Sequence, residues 1–131
     1  MTHQLINPDG LIPPVGFSHV VVAEGRKTVW LGGQTGHRAD ESIDADLVAQ
    51  FAQACRNVAV ALKAAGAEPE HLVSMVIYTT DPAAYRTNLK ALGEEYRRVF
   101  GRHFPAMALF GVTELFDPRS LVELVCVAVV P

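Results

Sequence analysis

Cysteine is scarce in this 131-residue chain: there are two, Cys55 and Cys126, both in apolar surroundings. Neither belongs to a Cys-x-x-Cys pair or a His/Cys cluster, which argues against a metal site of that kind and for buried thiols in a reducing compartment. An excess of charge is also missing. The 11 basic residues face 14 acidic ones, a formal net charge of −3, so nothing draws the chain as a whole to nucleic acid or an anionic membrane. The longest apolar stretch, Leu124 to Pro131, is far too short to span a bilayer. The opening Met1-Thr2-His3-Gln4-Leu5 has no basic region followed by an apolar run, so a cytoplasmic protein with no membrane partner is expected. Asp40, Glu41, Asp44 and Asp46 lack the spacing and central glycine of a calcium loop, and no metal is expected there.

What is present is apolar pattern. Half of the residues are hydrophobic, enough for one compact core in a chain too short for two typical domains, so residues 1–131 are read as one domain. Phe17 to Glu24 and Thr28 to Gly33 are β-rich runs, and Glu24-Gly25-Arg26-Lys27 between them suits a hairpin. After a polar stretch from Thr35 to Asp44, residues Leu47, Phe51, Ala54, Val58, Ala61, Leu62 and Ala65 recur at helical spacing until Gly66. Leu72 to Thr80 is apolar on both faces, as in a central strand. Asp81-Pro82 then offers a cap and a first helical residue, and Tyr85, Leu89, Leu92, Tyr96 and Phe100 mark an amphipathic helix closed by Gly101. Ala106 to Val112 and Leu121 to Val130 complete the chain as strands.

The order ββαβαββ predicts an α/β fold, with two helices on one face of a single mixed sheet. Strands that are apolar on both sides would leave a patch of roughly several hundred Å² on the helix-free face, so a homo-oligomer is expected.

Several segments carry a further likeness. They are Gly16-Phe17-Ser18-His19, Trp30-Leu31-Gly32-Gly33-Gln34, the Gln50 to Asn57 helix with Ala64-Ala65-Gly66-Ala67, Phe104-Pro105-Ala106 and Leu121-Val122-Glu123. In their order and spacing they resemble the RidA/YjgF family, once called endoribonuclease L-PSP, over nearly the whole chain. The resemblance implies a chorismate-mutase-like fold, a homotrimer and intersubunit clefts for small molecules, with no cofactor. It also implies a Pro-Ala-Arg motif whose guanidinium holds the substrate carboxylate, where this chain has Pro105-Ala106-Met107. A thioether cannot replace a planar fork of donors. Three other polar positions of the family are here Phe17, Gly32 and Gly93.

Glu123 is the candidate catalytic residue. It is the only charge between Leu121 and Val130 and matches the family's acid that positions water, the alternative being a strand-end carboxylate paired with Arg119 or a backbone donor. Phe17, His19, Gly33, Met107 and Leu109 are the candidate substrate-binding residues. His19 could donate to a substrate oxygen, or sit as a partly exposed edge-strand histidine. Met107 is either a pocket wall or ordinary strand packing. Trp30 and Tyr78 are read as core or interface aromatics. Arg97, Arg98, Arg102 and His103 are read as a surface that compensates a helix C-terminus, and with no exposed aromatics interleaved, a nucleic-acid partner is not expected.

The leading expectation is a deaminase-type hydrolase of an imine, enamine or related carbonyl-derived compound, with 2-aminoacrylate-type activity put in doubt by Met107. The alternative is a non-catalytic small-ligand-binding or regulatory trimer, and an endoribonuclease ranks third.

Overall fold

The structure, a computed structural model, describes residues 3–131. In chain order the strands are β1 (His3–Ile6), β2 (Val20–Ala23), β3 (Lys27–Trp30), β4 (Gln34–Thr35), β5 (Leu72–Thr79), β6 (Ala106–Gly111) and β7 (Val122–Val130). The helices are α1 (Leu47–Ala64), α2 (Pro82–Thr87) and α3 (Leu89–Phe100), with a 3₁₀ turn at Pro69–His71 before β5. A five-stranded mixed sheet runs β3-β7-β5-β6, with β4 also on β7. β6 is parallel to β5, and β7 is antiparallel to it. A parallel neighbour needs a long crossover, which α2 and α3 supply.

Local chemistry sets the helix ends. The Asp46 carboxylate accepts from the Ala49 N–H at 3.0 Å and starts α1. Gly66, at φ 74°, ends it by letting the Ala67 N–H donate back to the Leu62 carbonyl at 2.8 Å. The Asp81 carboxylate likewise accepts from the Ala84 N–H at 3.0 Å with Pro82 at the first helical position.

Strand alternation divides the sheet into two faces. Leu72, Met75 and Ile77 of β5 and Val122, Leu124, Cys126 and Ala128 of β7 point to the helices. There they meet Phe51, Cys55, Val58 and Leu62 of α1 and Leu92, Tyr96 and Phe100 of α3 in one buried core. The thiols of Cys55 and Cys126 are free and buried, and burial pushes Cys126 up to about 12, so both are inert. The opposite face carries Val76 and Tyr78 of β5 with Val125, Val127 and Val129 of β7. Trp30 and Phe110 stand out on it at 77% and 52% exposure.

Two expectations from sequence need correction. The hairpin between Phe17–Glu24 and Thr28–Gly33 does not form: β2 pairs with β1, and β3 pairs with β7. The turn between them is pressed against the end of β7, where Arg26 N–H donates to the Val130 carbonyl at 2.8 Å and a side chain on Gly25 would strike that same carbonyl. β7 offers β3 a long apolar ladder, and β2 finds its partner in His3–Ile6, leaving a two-stranded ribbon beside the main sheet. The second helix is also two helices. Asn88, at φ −116° and ψ 21°, interrupts it, and its side-chain amide donates to the Ala84 carbonyl at 2.7 Å, competing with the helical ladder. Among the described residues no helix is long and apolar enough to cross a membrane, and no group of three or more acidic, histidine or cysteine side chains could hold a metal.

Candidate functional site

A cleft of about 640 Å³ opens between α2, α3, the edge strand β6 and the segment Val15–Phe17. Phe17, Met107 and Leu109, three of the five expected binding residues, stand on its wall. Met107 pairs with Met75 and Leu109 with Ile77, so both lie on the helix side of the sheet. Because β6 is the edge of the sheet and α3 packs chiefly on α1, the helix leaves β6 uncovered there. Phe51, Leu92, Tyr96 and Phe104 make the remaining wall largely apolar. The Tyr96 hydroxyl is spent on the His103 carbonyl at 2.7 Å. Burial pushes the Tyr85 phenol up to about 12, with the Cys55 thiol adding to it, so Tyr85 meets the cleft as a neutral donor.

Phe17 is held in place from behind. Ser18, buried, donates its hydroxyl to the Phe104 carbonyl at 2.6 Å and its N–H to the Pro105 carbonyl at 3.0 Å. His19 packs edge-on against Phe17 with ring centroids 5.0 Å apart. Its Nε2 shares a hydrogen bond of 2.7 Å with the Ile12 carbonyl. His19 is outside the residues that line the cleft. Its contacts tie the 12–19 loop and brace Phe17.

Gly33 and Glu123 come together elsewhere. Glu123 opposes Tyr78 and Thr35 in the ladders, which places it on the helix-free face, opposite to Met107. The Glu123 carboxylate lies over Gly33, where any side chain would collide with it. It has no hydrogen-bond or ionic partner among the described residues. Arg119, the partner considered from sequence, is committed to Asp117 instead, with Nη2 to Oδ2 at 2.7 Å. The strand that carries Glu123 is anchored by Gln50, fully buried in α1. Its amide accepts from the Leu121 N–H at 2.8 Å and donates to the Arg119 and Asp44 carbonyls at 2.9 and 2.8 Å.

Two features were missed from sequence. The first is a polar chain beside Glu123: Thr35 Oγ1 to His37 Nδ1 at 2.6 Å, His37 Nε2 to Asp117 Oδ2 at 2.8 Å, then Arg119. Arg119, followed by His37, holds the Asp117 carboxyl well below the usual carboxylate range. Residues 35, 37, 117 and 119 show no shared period, and only the closure of β4 onto β7 joins them. The second is Arg97, read from sequence as helix surface, which lines the cleft. Its neighbour Arg98 does sit on the surface, paired with Glu95 at 2.8 Å.

Comparison with known proteins bears on what such an arrangement belongs to. A family model described as Endoribonuclease L-PSP matches residues 10–130. The chain is similar to the RutC family protein UK114 of Drosophila melanogaster, 28% identical over 131 residues that cover 98% of this chain and 90% of that protein. Among solved structures it is similar to YyfB of the conserved Rid family from Yersinia pestis, with 30% identity, a TM-score of 0.89 and coverage of 99% and 100% of the two chains. It is also similar to Rv2704 of Mycobacterium tuberculosis, a YjgF/YER057c/UK114 family member, with 29% identity, a TM-score of 0.67 and coverage of 98% and 99%.

Proposed function

The chain belongs to the Rid/YjgF (endoribonuclease L-PSP) family, and from that premise we propose that it is a homotrimeric small-molecule hydrolase whose sites form between subunits. Its substrate is an imine, enamine or related carbonyl-derived compound. The cleft wall of Phe17, Met107 and Leu109 from one chain holds the ligand, and Glu123 with Gly33 from a neighbouring chain orients the water. The supporting observation is the separation of these halves onto opposite faces of one sheet, so that no single ligand meets both in one chain. The apolar face around Trp30, Val127 and Phe110 is the surface that a neighbour would cover.

In the reaction, water adds to the imine carbon while the proton it sheds passes to the Glu123 carboxylate and from there to the nitrogen; the carbinolamine hydroxyl then gives its proton to the same carboxylate, which returns it to the amine as the C–N bond breaks, leaving the carbonyl compound, ammonia and an unchanged Glu123. The imine carbon is already electrophilic, so orientation of water and one proton acceptor are what the residues need to supply. Substrates as small as 2-aminoacrylate are poorly served, because Met107 offers no donor to their carboxylate. RNA cleavage fits an apolar cleft badly.

The test is ammonia release from imines generated in the assay, over a series from small to bulky side chains, with Glu123→Gln beside the wild type. Acceleration by the wild type that falls about 10²- to 10⁴-fold in the variant supports the hydrolase. A wild type that accelerates none of them leaves the second reading, a ligand-binding trimer without catalysis, which the largely apolar cleft also supports.

A further inference from the structure

The cleft is not without a cation. Arg97 is an exposed member of its lining, and among the lining residues it is the only one with an ionisable charge of either sign at neutral pH. Its guanidinium makes no hydrogen bond or ion pair among the described residues, whereas Arg98, Arg119 and Arg38 all have acidic partners. An unengaged guanidinium beside an apolar cavity is a ready partner for an anion that carries an apolar body.

Gly93 explains how the guanidinium gets there. It lies one turn before Arg97 on α3, and helical side chains lean toward the N-terminus, so Arg97 lies back over residue 93. A Cβ at Gly93 would sit 3.2 Å from Arg97 Nη1, 3.9 Å from Cζ and 4.0 Å from Nη2. The backbone of Gly93 is ordinary helix, without the positive φ that requires glycine. Glycine is a poor choice for a helix interior, and here the missing side chain is the seat of the guanidinium.

We propose that Arg97, seated over Gly93, is the carboxylate anchor of this cleft, and that its ligand is a carboxylate with a bulky apolar body, aromatic or branched. The anchor arrives from α3 on one wall, while Met107 on β6 gives the other wall to the apolar body. The neutral Tyr85 hydroxyl is a second donor on the same lining. A volume of about 640 Å³ lies well inside the range for ligands of this bulk. The inference rests on the cleft assigned above as the ligand site, and not on turnover.

The test is equilibrium binding of 3-phenylpropanoate and of its neutral amide, followed by the methyl resonance of Met107 in protein carrying labelled methionine. The wild type is expected to bind the carboxylate about tenfold or more tighter than the amide, with the Met107 methyl shifting on saturation. Arg97→Gln should lose that preference while binding the amide as before, Arg97→Lys should keep part of it, and Arg98→Gln should keep all of it. Equal affinity for acid and amide in the wild type, an unmoved Met107 methyl, or an undiminished preference in Arg97→Gln would each overturn the proposal. Because binding is read without turnover, its failure is distinct from the failure of imine hydrolysis, which the ammonia assay reports.

Discussion

Met107 and Glu123 are carried by strands of one sheet, separated only by β5, yet they serve surroundings of opposite character. On the helix side, at Met107, the wall is largely apolar and carries a lone guanidinium, that of Arg97. On the other side, at Glu123, a lone carboxylate lies over a glycine beside the polar chain Thr35, His37, Asp117 and Arg119. Each region holds one unspent charge, of opposite sign, and each charge rests on a residue with no side chain. A glycine at 93 makes room for a cation and a glycine at 33 makes room for an anion. Under the proposed function this difference becomes a division of labour, with one region binding the ligand and the other moving a proton.

The comparison breaks most visibly at Glu123. Glu123→Gln should cut turnover about 10²- to 10⁴-fold and leave ligand affinity within about twofold. Arg97→Gln should do the reverse, raising KM far more than it lowers kcat; if both variants act on the same parameter, the division is wrong. Next in size is support of the Glu123 strand. Gln50→Leu leaves the Leu121 N–H and the Arg119 and Asp44 carbonyls without their buried partner and should cost about 3 kcal/mol in urea unfolding, with a loss under about 1 kcal/mol counting against the anchoring role.

The glycines give paired, smaller effects. Gly33→Ala should displace the Glu123 carboxylate and lower turnover about tenfold with little change in ligand affinity. Gly93→Ala should stabilise the fold by about 0.8–1 kcal/mol through helix propensity and still weaken carboxylate binding, a gain in stability with a loss in function. The smallest effect is that of Asp117. Its carboxyl titrates below the ordinary 3.8, so its stabilisation is present above about pH 4 and fades as the pH falls through the folded value. Thermal midpoints of wild type and Asp117→Asn should therefore differ at pH 7 and converge on acidification. A constant gap would contradict the assignment.

How much of this was legible beforehand follows from the range of each signal. α1, its Gly66 stop, the Asp81-Pro82 start and the apolar strands β5 and β7 are written in local period and capping chemistry, and all stand where the sequence put them. The partner of β2 was not legible, because the short His3–Ile6 has no strong strand signal and pairing is settled by which ladder β7 completes. The break at Asn88 escaped because apolar period continues across it. Phe17, Met107 and Leu109 share a wall of the cleft, while His19, which strand alternation put in the same environment as Phe17, braces that wall from outside. Arg97 looked like its neighbour Arg98. Only the direction of a side chain over Gly93 separates the two, and a sequence does not print that direction.

The central claim, that one site takes its cleft from one chain and its acid from another, is tested most directly by mixing. Arg97→Gln and Glu123→Gln proteins, each with little activity on a bulky imino acid supplied well below the wild-type KM, are unfolded together, refolded as mixed trimers and assayed for ammonia release at that concentration. Sites shared between chains predict recovery of activity toward about a quarter of the wild-type level, since that share of random interfaces pairs two intact halves. No recovery above the separately refolded variants would contradict the account.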